Sequence, residues 1–170
     1  MKRARLVMLC LASAAALAGC AYTTSTALLP SHLKTVAVPV FENGTTEYTL
    51  EQEVTEAVIA HFVADNHLKV VDERGADSVI KGRITLYKNA VFGFNEAAQA
   101  QEYRVTIASS VVFKDLIKNR ELWNEPNLVK TVNYYVVNTP GDTARTELDG
   151  RKGAINKLAD EIVARSVEGW

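Results

Sequence analysis

Cys20 has the most distinctive chemical setting in this sequence. It closes the tetrapeptide LAGC, directly after an uncharged, mostly apolar run at 6–17 that follows the basic start MKRAR. A basic start and an apolar run of this length are typical of an export signal, and the run is shorter than the roughly 20 apolar residues of a membrane-spanning helix. Cys10, the other cysteine, lies inside the run and would leave with the signal. The mature chain would then hold one thiol and could form no internal disulfide.

The tetrapeptide also resembles the lipobox of bacterial lipoproteins. In that family the signal is cut before the cysteine, whose sulfur and new amino group carry acyl chains. The resemblance therefore implies a signal peptide at 1–19 and acyl chains such as palmitate on Cys20. One chain holds a protein to a membrane only marginally, whereas two or more give a stable anchor. Ala21 stands where an aspartate usually keeps a lipoprotein in the inner membrane, which implies the outer membrane. The alternative is a free or disulfide-bonded cysteine beside an ordinary cleavage site.

Motifs for catalysis or metal binding are scarce. The sequence contains no G-x-S-x-G, P-loop or G-x-G-x-x-G motif, which are the common signatures of hydrolases and nucleotide-binding proteins. His32, His61 and His67 have no metal-type spacing with a cysteine, and acidic residues gather at predicted helix starts, where the helix dipole accounts for them. We therefore expect a protein that is not an enzyme, with no metal and no cofactor besides the lipid on Cys20.

The mature chain is slightly acidic. From Cys20 onward it has 151 residues, with 16 lysine and arginine side chains against 20 aspartate and glutamate, a formal charge of −4. A nucleic-acid-binding protein would show a basic stripe, so the composition argues against that class. Residues 20–33, rich in threonine and serine, predict a lipidated N-terminus and a short tether. Residues 34–170 have the length of a single domain with a normal core.

Hydrophobic periodicity predicts an α+β domain. Residues 35–41 alternate as a strand that Pro39 places at an edge or beside a bulge. An amphipathic helix follows at about 50–64, behind a capping box formed by Thr49 and Gln52. Further strands and a last helix are expected at 68–71, 78–87, 102–114, 130–137 and from about 150. The order predicts two helices packed on one face of a mainly antiparallel or mixed sheet of four to five strands.

The two long predicted strands share a design, with one apolar face and one partly basic face. On the first of them, Ile80, Ile84 and Leu86 point to the same side. The cations expected together on the opposite side of the sheet are Lys81, Arg83, Arg104 and Lys114. Such a face can make charge-assisted hydrogen bonds to a phosphorylated ligand. A solvated sheet face would show the same pattern.

The connection between these strands, 88–100, is predicted to be a solvated loop. It carries Phe92 and Phe94 on either side of Gly93, and an exposed apolar cluster can mark a contact site. The alternative is that both phenylalanines fold back over the sheet edge.

The last helix has two unusual features near its start. Asp142 or Thr143 is expected to cap it, which puts the cation Arg145 in the first turn, where the helix dipole disfavours positive charge. Gly150 and Gly153 lie inside the apolar pattern, and each costs about 1 kcal/mol relative to alanine. They either delay the helix start to about 150 or mark a close approach to another backbone.

Several longer stretches resemble the LptE family of lipopolysaccharide-assembly lipoproteins. They are CAY after the lipobox, LLPSHLKTVAVPVFENGTTEYTLEQEVTEAV, KVVDERGADSVIKGRITLYK, and EYRVTIASSVVFKD with ELWNEPN. The similarity as a whole runs from Cys20 to about Val167. The resemblance implies a small α+β domain that plugs the outer-membrane β-barrel translocon LptD, assists assembly of the barrel and binds lipopolysaccharide.

The ligand contacts of that family carry over in part. They involve a basic residue in the loop between the long strands and another ahead of the last helix. The second maps onto Arg145, whereas the first loop has only Lys88 at its edge and shows Gly93 and Phe94 where a cation is expected. The alternative is a different outer-membrane lipoprotein that acts as a periplasmic protein-interaction module, such as a cell-wall synthase activator or a secretion-channel subunit.

Together with the basic face, this resemblance yields two groups of candidate site residues. The candidates for lipopolysaccharide binding are Arg145, Arg104, Arg83, Lys81 and Lys88. The candidates for contact with the barrel are Phe92 and Phe94.

Overall fold

The computed structural model describes residues 29–138 and 143–168, so the signal at 1–19 and Cys20 lie outside the described residues. In chain order the elements are β1 (Thr35–Ala37), β2 (Glu42–Asn43), α1 (Leu50–Asp65), β3 (Lys69–Val70), a 3-10 turn (Glu73–Gly75), β4 (Ser78–Phe94), β5 (Ala100–Asp115), β6 (Arg120–Tyr135) and α2 (Glu147–Val167). The predicted α+β class is confirmed, with six strands in place of four to five. No helix in the described ranges is long and apolar enough to cross a membrane.

The sheet is mixed, and three long strands dominate it. The order is β3-β1-β4-β5-β6, with β2 also paired to β4. The short strands pair in parallel, whereas β4, β5 and β6 form an antiparallel meander. Each of these long strands has 16 or 17 residues, so the meander is about 50 Å long at roughly 3.3 Å per residue.

Both helices pack on one face of this sheet and share its core. The fully buried side chains include Val54, Val58 and Phe62 of α1, Leu158 and Ile162 of α2, and Ile80, Ile107 and Phe113 of the meander. The other face of β4, β5 and β6 is turned away from the helices. We call it the open face, and we call the turn at 95–99 the tip.

Two glycines allow this packing. A Cβ at Gly82 would lie 2.0 Å from Cε1 of Phe41, and one at Gly150 would lie 2.6 Å from Cδ1 of Tyr134. The Cβ of an alanine at Gly153 would meet Val132 at 3.4 Å. Of the two predicted roles for the α2 glycines, close approach to another backbone is wrong as stated, because the neighbours are side chains of the sheet. Delay of the helix start is wrong, because α2 begins at Glu147.

Pro39 divides the first predicted strand in two. β1 ends at Ala37 and the ladder resumes only at Glu42. The edge position predicted for this strand is wrong, because β3 flanks β1 on its outer side. Proline lacks the N–H that a strand with neighbours on both sides must donate, so the chain leaves the ladder where Pro39 stands.

The start of α1 agrees with the predicted position of its N-cap but not with the predicted capping box. Thr49 is the N-cap, with a φ of 64° and no side-chain cap bond. Its hydroxyl instead donates to the carbonyl of Tyr48 and the carboxylate of Glu53. The expected pairing of Thr49 with Gln52 is therefore wrong, because the Thr49 hydroxyl bonds to other groups and forms no cap bond.

The start of α2 lies closer to the C-terminus than the predicted caps. Thr146 is the N-cap, and it forms a reciprocal capping box with Asp149. Thr143 is therefore not the cap, and Asp142 lies outside the described residues. The prediction that Arg145 lies in the first turn of the helix is therefore wrong, because Arg145 precedes the N-cap.

A bulge at Thr85 reverses the facing of the second half of β4. Ile84 pairs with Ser109 but Leu86 pairs with Ala108, so Thr85 is the extra residue. Leu86, predicted to face the core with Ile84, is consequently 43% exposed on the open face. An inserted residue shifts a pattern of period two by one step, so the side chains that follow it, as far as Val91, change face.

The predicted loop at 88–100 is mostly strand. β4 continues to Phe94 and β5 begins at Ala100, which leaves only the tip between them. Within the tip, the Asn95 side chain accepts hydrogen bonds from the backbone N–H groups of Ala97 and Gln99. These local bonds form a tight turn where a long loop was expected.

Most of the last predicted strand, 130–137, belongs to a longer strand, β6, which begins at Arg120 and ends at Tyr135. Its pairing with β5 is irregular around Pro126, between the rungs of Glu125 and Leu128. A proline is tolerated there because β6 is an edge strand, where an N–H on the outer side has no partner to lose.

The end of the predicted tether belongs to the folded domain. Leu33 is 1% exposed and lies in the core. His32 Nε2 is 2.8 Å from the fully enclosed carboxylate of Asp115 at the end of β5. Burial acts to raise the pKa of Asp115, but hydrogen bonds from the Lys118 backbone N–H and from His32 outweigh it and keep that pKa low. The contacts of the domain therefore begin before Lys34.

Candidate ligand-binding site

The open face carries two of the predicted cations on neighbouring rungs near the tip. Lys88 of β4 pairs with Thr106 of β5, and Arg104 of β5 pairs with Ala90 of β4. Lys88 and Arg104 are thus diagonal neighbours on one face, where Cβ atoms are about 7 Å apart. Lys88 is exposed and has no ion-pair partner among the described residues. The two charges can therefore act on one anion.

Arg104 is held in place by two side chains of the same face. Its Cζ lies 3.5 Å from the centre of the Phe92 ring, and its Nε donates to Oδ1 of Asn133 at 2.8 Å. Asn133 in turn donates to Glu102 at 2.8 Å. The terminal NH₂ groups of Arg104 have no acceptor within 29–138 and 143–168. A guanidinium stacked on a ring and fixed at Nε keeps its fork available for a carboxylate or phosphate.

Lys81 and Arg83 share the open face but are already paired. Lys81 Nζ lies 3.0 Å from Glu73, and Arg83 Nη1 lies 3.1 Å from Glu42. Both cations are on the other side of the Thr85 bulge, so about six residues of strand, or roughly 20 Å, separate Lys81 from Lys88. The predicted single basic face is therefore two regions, and of the two cation pairs only Lys88 and Arg104, near the tip, have no ion-pair partner among the described residues.

Phe92 and Phe94 lie at the end of β4 and remain accessible. Phe92 is 49% exposed and Phe94 is 63% exposed. Phe92 sits in a second irregularity of the ladder, between Val91 and Gly93. Its ring lies on Arg104, so it does not fold back over the sheet edge as the alternative required. The exposed rings and the cations form one amphipathic region.

Arg145 adjoins the same end of the sheet from the other side. Its backbone N–H donates to the carbonyl of Tyr135 at 2.7 Å, which adds one rung beyond β6. Tyr135 pairs with Glu102, two residues from Arg104 along β5. Two strand spacings and two residues place the backbones of Arg104 and Arg145 about 12 Å apart. The structure therefore brings Lys88 and Arg104 together and leaves Arg145 at a short distance.

Arg151 is a structural cation that sequence reasoning missed. It is 9% exposed, with Nη1 2.6 Å from Glu47, Nε 3.0 Å from Glu53 and Nη2 donating to the carbonyl of Tyr48 at 3.0 Å. The only signal was an arginine beside Gly150 on the face of α2 that approaches the sheet. The cluster fastens the start of α2 to the start of α1.

Tyr87 continues this cluster into β4 on the core side of the sheet. Its hydroxyl donates to Glu147 at 2.8 Å, and its ring lies 5.3 Å from Cζ of Arg151. Burial raises the pKa of Tyr87, and the bond to Glu147 adds to the effect. The Thr85 bulge places Tyr87 on the core side, opposite the face that carries Lys88. The strand that presents Lys88 is therefore supported from behind.

No metal centre is formed by the side chains that the structure describes. No group of three or more histidine, cysteine, aspartate or glutamate side chains among them could hold a metal ion. The three histidines are dispersed, and each lies near a single aspartate. What the site offers is charge pairing and apolar contact.

The family of the chain follows from its sequence. The profile of the LptE family, described as lipopolysaccharide-assembly, matches residues 33–166. The chain belongs to the LptE family. This LptE-family chain is therefore a lipopolysaccharide-assembly lipoprotein, and the predicted resemblance is confirmed. No curated protein sequence is significantly similar to it.

Several solved structures share the fold of this LptE-family domain. Protein XCC0632 from Xanthomonas campestris is 11% identical, with a TM-score of 0.58 over 82% of this chain and 86% of that one. The hypothetical protein CT253 from Chlamydia trachomatis is 14% identical, with a TM-score of 0.57 over 78% and 95%. PelC from Paraburkholderia phytofirmans, a dodecamer, is 12% identical, with a TM-score of 0.53 over 85% and 96%. Identities this low establish a common fold alone.

Proposed function

We propose that this protein is a lipid-anchored outer-membrane lipoprotein that plugs an LptD-type β-barrel, assists its assembly and binds lipopolysaccharide without turnover. The anchor is the acylated Cys20, and the domain lies at the periplasmic side or inside the barrel lumen. The observation that carries the proposal is the region near the tip of this LptE-family domain, where Lys88 and Arg104 share the open face with accessible Phe92 and Phe94.

Phosphate groups of the glycolipid are the expected partners of the cations. Lys88 and Arg104 are close enough for one phosphate to accept hydrogen bonds from both, and such charge-assisted bonds are about twice as strong as neutral ones. Arg104 is already ordered by Phe92 and Asn133, so binding costs it less conformational entropy. An exposed ion pair contributes only about 0.2–1 kcal/mol. Several pairs must therefore act together, which a confined lumen with weaker solvent screening favours.

The spacing of the cations favours an extended anionic ligand. A single phosphate between Lys88 and Arg104 does not reach Arg145, whose backbone is about 12 Å from that of Arg104. A glycolipid with more than one phosphate can contact both places, while its acyl chains or the barrel wall meet Phe92 and Phe94. Apolar area removed from water contributes roughly 25 cal/mol per Å², so the exposed rings add to affinity.

Two measurements test this proposal. First, affinity isolation of the tagged protein from outer membrane is expected to recover a large β-barrel in near-equal amount, and recovery of the protein alone contradicts the plug role. Second, lipopolysaccharide retained by the purified protein is expected to fall in Lys88→Ala/Arg104→Ala. The matched control is Lys81→Ala/Arg83→Ala, which removes the same charge from the same face but from residues already paired. Equal retention by both double variants excludes the proposed region.

A further inference from the structure

The outer edge of β6 is long and regular near the tip. β6 is the last strand of the sheet, and its residues from Leu128 to Tyr135 pair with β5 in an unbroken register. This half, LVKTVNYY, contains no proline and no glycine. Eight regular residues extend over about 26 Å, which is long enough to align another strand.

Three hydrogen bonds show which backbone groups point outward. The carbonyl of Thr131 accepts from Lys157 Nζ at 3.5 Å, and the carbonyl of Tyr135 accepts from the N–H of Arg145 at 2.7 Å. Val136, in contrast, donates to Gln101 of β5. Since facing alternates along a strand, odd-numbered residues from 129 to 135 direct their N–H and C=O groups to the free edge.

Little covers this edge. Natural sheets protect edges with proline, bulges, charges or a covering segment, and β6 has its proline and bulge only in the other half, at Pro126. Near the tip, Arg145 and Lys157 donate hydrogen bonds to the backbone of this edge. Val129 and Asn133 each present both backbone groups without a described partner. The rung at Arg145 shows that a further segment can pair with β6.

We propose that the β6 edge from Val129 to Asn133 accepts an extended segment of the barrel partner by strand addition, with an acidic side chain of that segment beside Lys157. The identity of the partner rests on the proposed function. Main-chain hydrogen bonds supply affinity in this mode, and side chains supply register. A second copy of this chain is a poor occupant, because antiparallel pairing between Val129 and Asn133 brings the two Lys157 side chains together, and like charges destabilise such pairs.

The test uses the full lipoprotein in its membrane complex. A photo-crosslinking amino acid at position 129 is expected to label the barrel, and mass spectrometry identifies the labelled segment. Thr131→Pro removes an outward N–H while leaving the bonds to β5, so labelling is expected to fall about three- to tenfold, the equivalent of one net hydrogen bond. Thr131→Ala keeps that N–H and is expected to retain labelling. Unchanged circular dichroism verifies that both variants are folded.

Each other outcome contradicts a different statement. If the barrel is isolated with the protein but is not labelled from position 129, or if Thr131→Pro labels as well as Thr131→Ala, the edge proposal is overturned and the plug role stands. Labelling of a second copy of the chain overturns the choice of partner. If no barrel is isolated with the unsubstituted protein, the proposed function fails, and the partner named here fails with it.

Discussion

Gly82→Ala tests whether the close contact between β4 and Phe41 is as tight as the structure indicates. The added Cβ would lie 2.0 Å from Cε1 and 2.4 Å from Cδ1 of a ring that is only 2% exposed. Carbon atoms normally approach to about 3.5–4.0 Å, so the ring must move by more than 1 Å inside a packed core.

The expected cost follows from two opposing effects. Overpacking of a core costs about 1–3 kcal/mol, and the severity of this contact places Gly82→Ala in the upper half of that range. Replacing glycine by alanine also restricts the unfolded chain, which stabilises by about 0.4–1 kcal/mol. The net loss in free energy of unfolding is therefore about 2 kcal/mol, equivalent to a Tm lower by roughly 4–8 °C for a domain of this size.

Urea denaturation followed by circular dichroism measures this loss. Gly75→Ala is the matched control, because a Cβ there meets nothing within 4 Å and its effect is expected within about 0.5 kcal/mol. Phe41→Leu combined with Gly82→Ala is expected to cost less than the sum of the single changes, with a coupling of about 0.5–3 kcal/mol. Equal stability of the two alanine variants, or strict additivity with Phe41→Leu, would refute the packing argument.

Three further predictions concern the charged and polar contacts of the helices. Arg151→Met leaves Glu47 without its cation and is expected to lower the free energy of unfolding, measured by urea denaturation, by about 2 kcal/mol. This loss is smaller than that expected on breaking a fully buried ion pair, because the glutamates are partly exposed. Thr146→Ala removes the α2 cap and is expected to cost about 1 kcal/mol, visible as a lower Tm. The hydrogen bond from Lys130 lowers the pKa of Glu161 from its usual 4.5. The stabilisation that Glu161 contributes is therefore complete above that pH and is lost as pH falls through the lower pKa of the folded state. Urea denaturation between pH 3 and 6 is expected to show a smaller loss of stability with falling pH in Glu161→Gln than in the unsubstituted protein.

The sequence predicts the class of the fold because its periodic signals are local. Apolar side chains recur along α1, α2 and β5 with the spacing of each element, and nearly all of these elements form as expected. The predicted loop at 88–100 fails because its residues alternate poorly. The parts of β4 and β5 in this segment are stabilised by pairing with each other on either side of the tip and not by burial. The hydrophobic pattern of the sequence therefore does not indicate these strands.

The candidate site could be predicted only as a set of residue types. Lys88 and Arg104 were named, but their proximity depends on the Thr85 bulge and on the register between β4 and β5, which involve pairs of distant residues. Arg151 escaped prediction for a similar reason, since its carboxylate partners lie about a hundred residues away in the chain. The sequence alone does not distinguish a charged residue that stabilises the fold from one that binds a ligand.

Because of the bulge at Thr85, the number of residues in β4, and not their types, decides which side chains lie on the open face. Before it the open face receives the odd-numbered residues of β4, and after it, as far as the second irregularity at Phe92, the even-numbered ones. Removal of that one residue would turn Lys88 toward α2 and expose Tyr87 and Asn89 in its place. Single-residue insertions and deletions in this strand are therefore the changes by which such a domain could exchange the chemistry of its open face without substituting any of the remaining side chains.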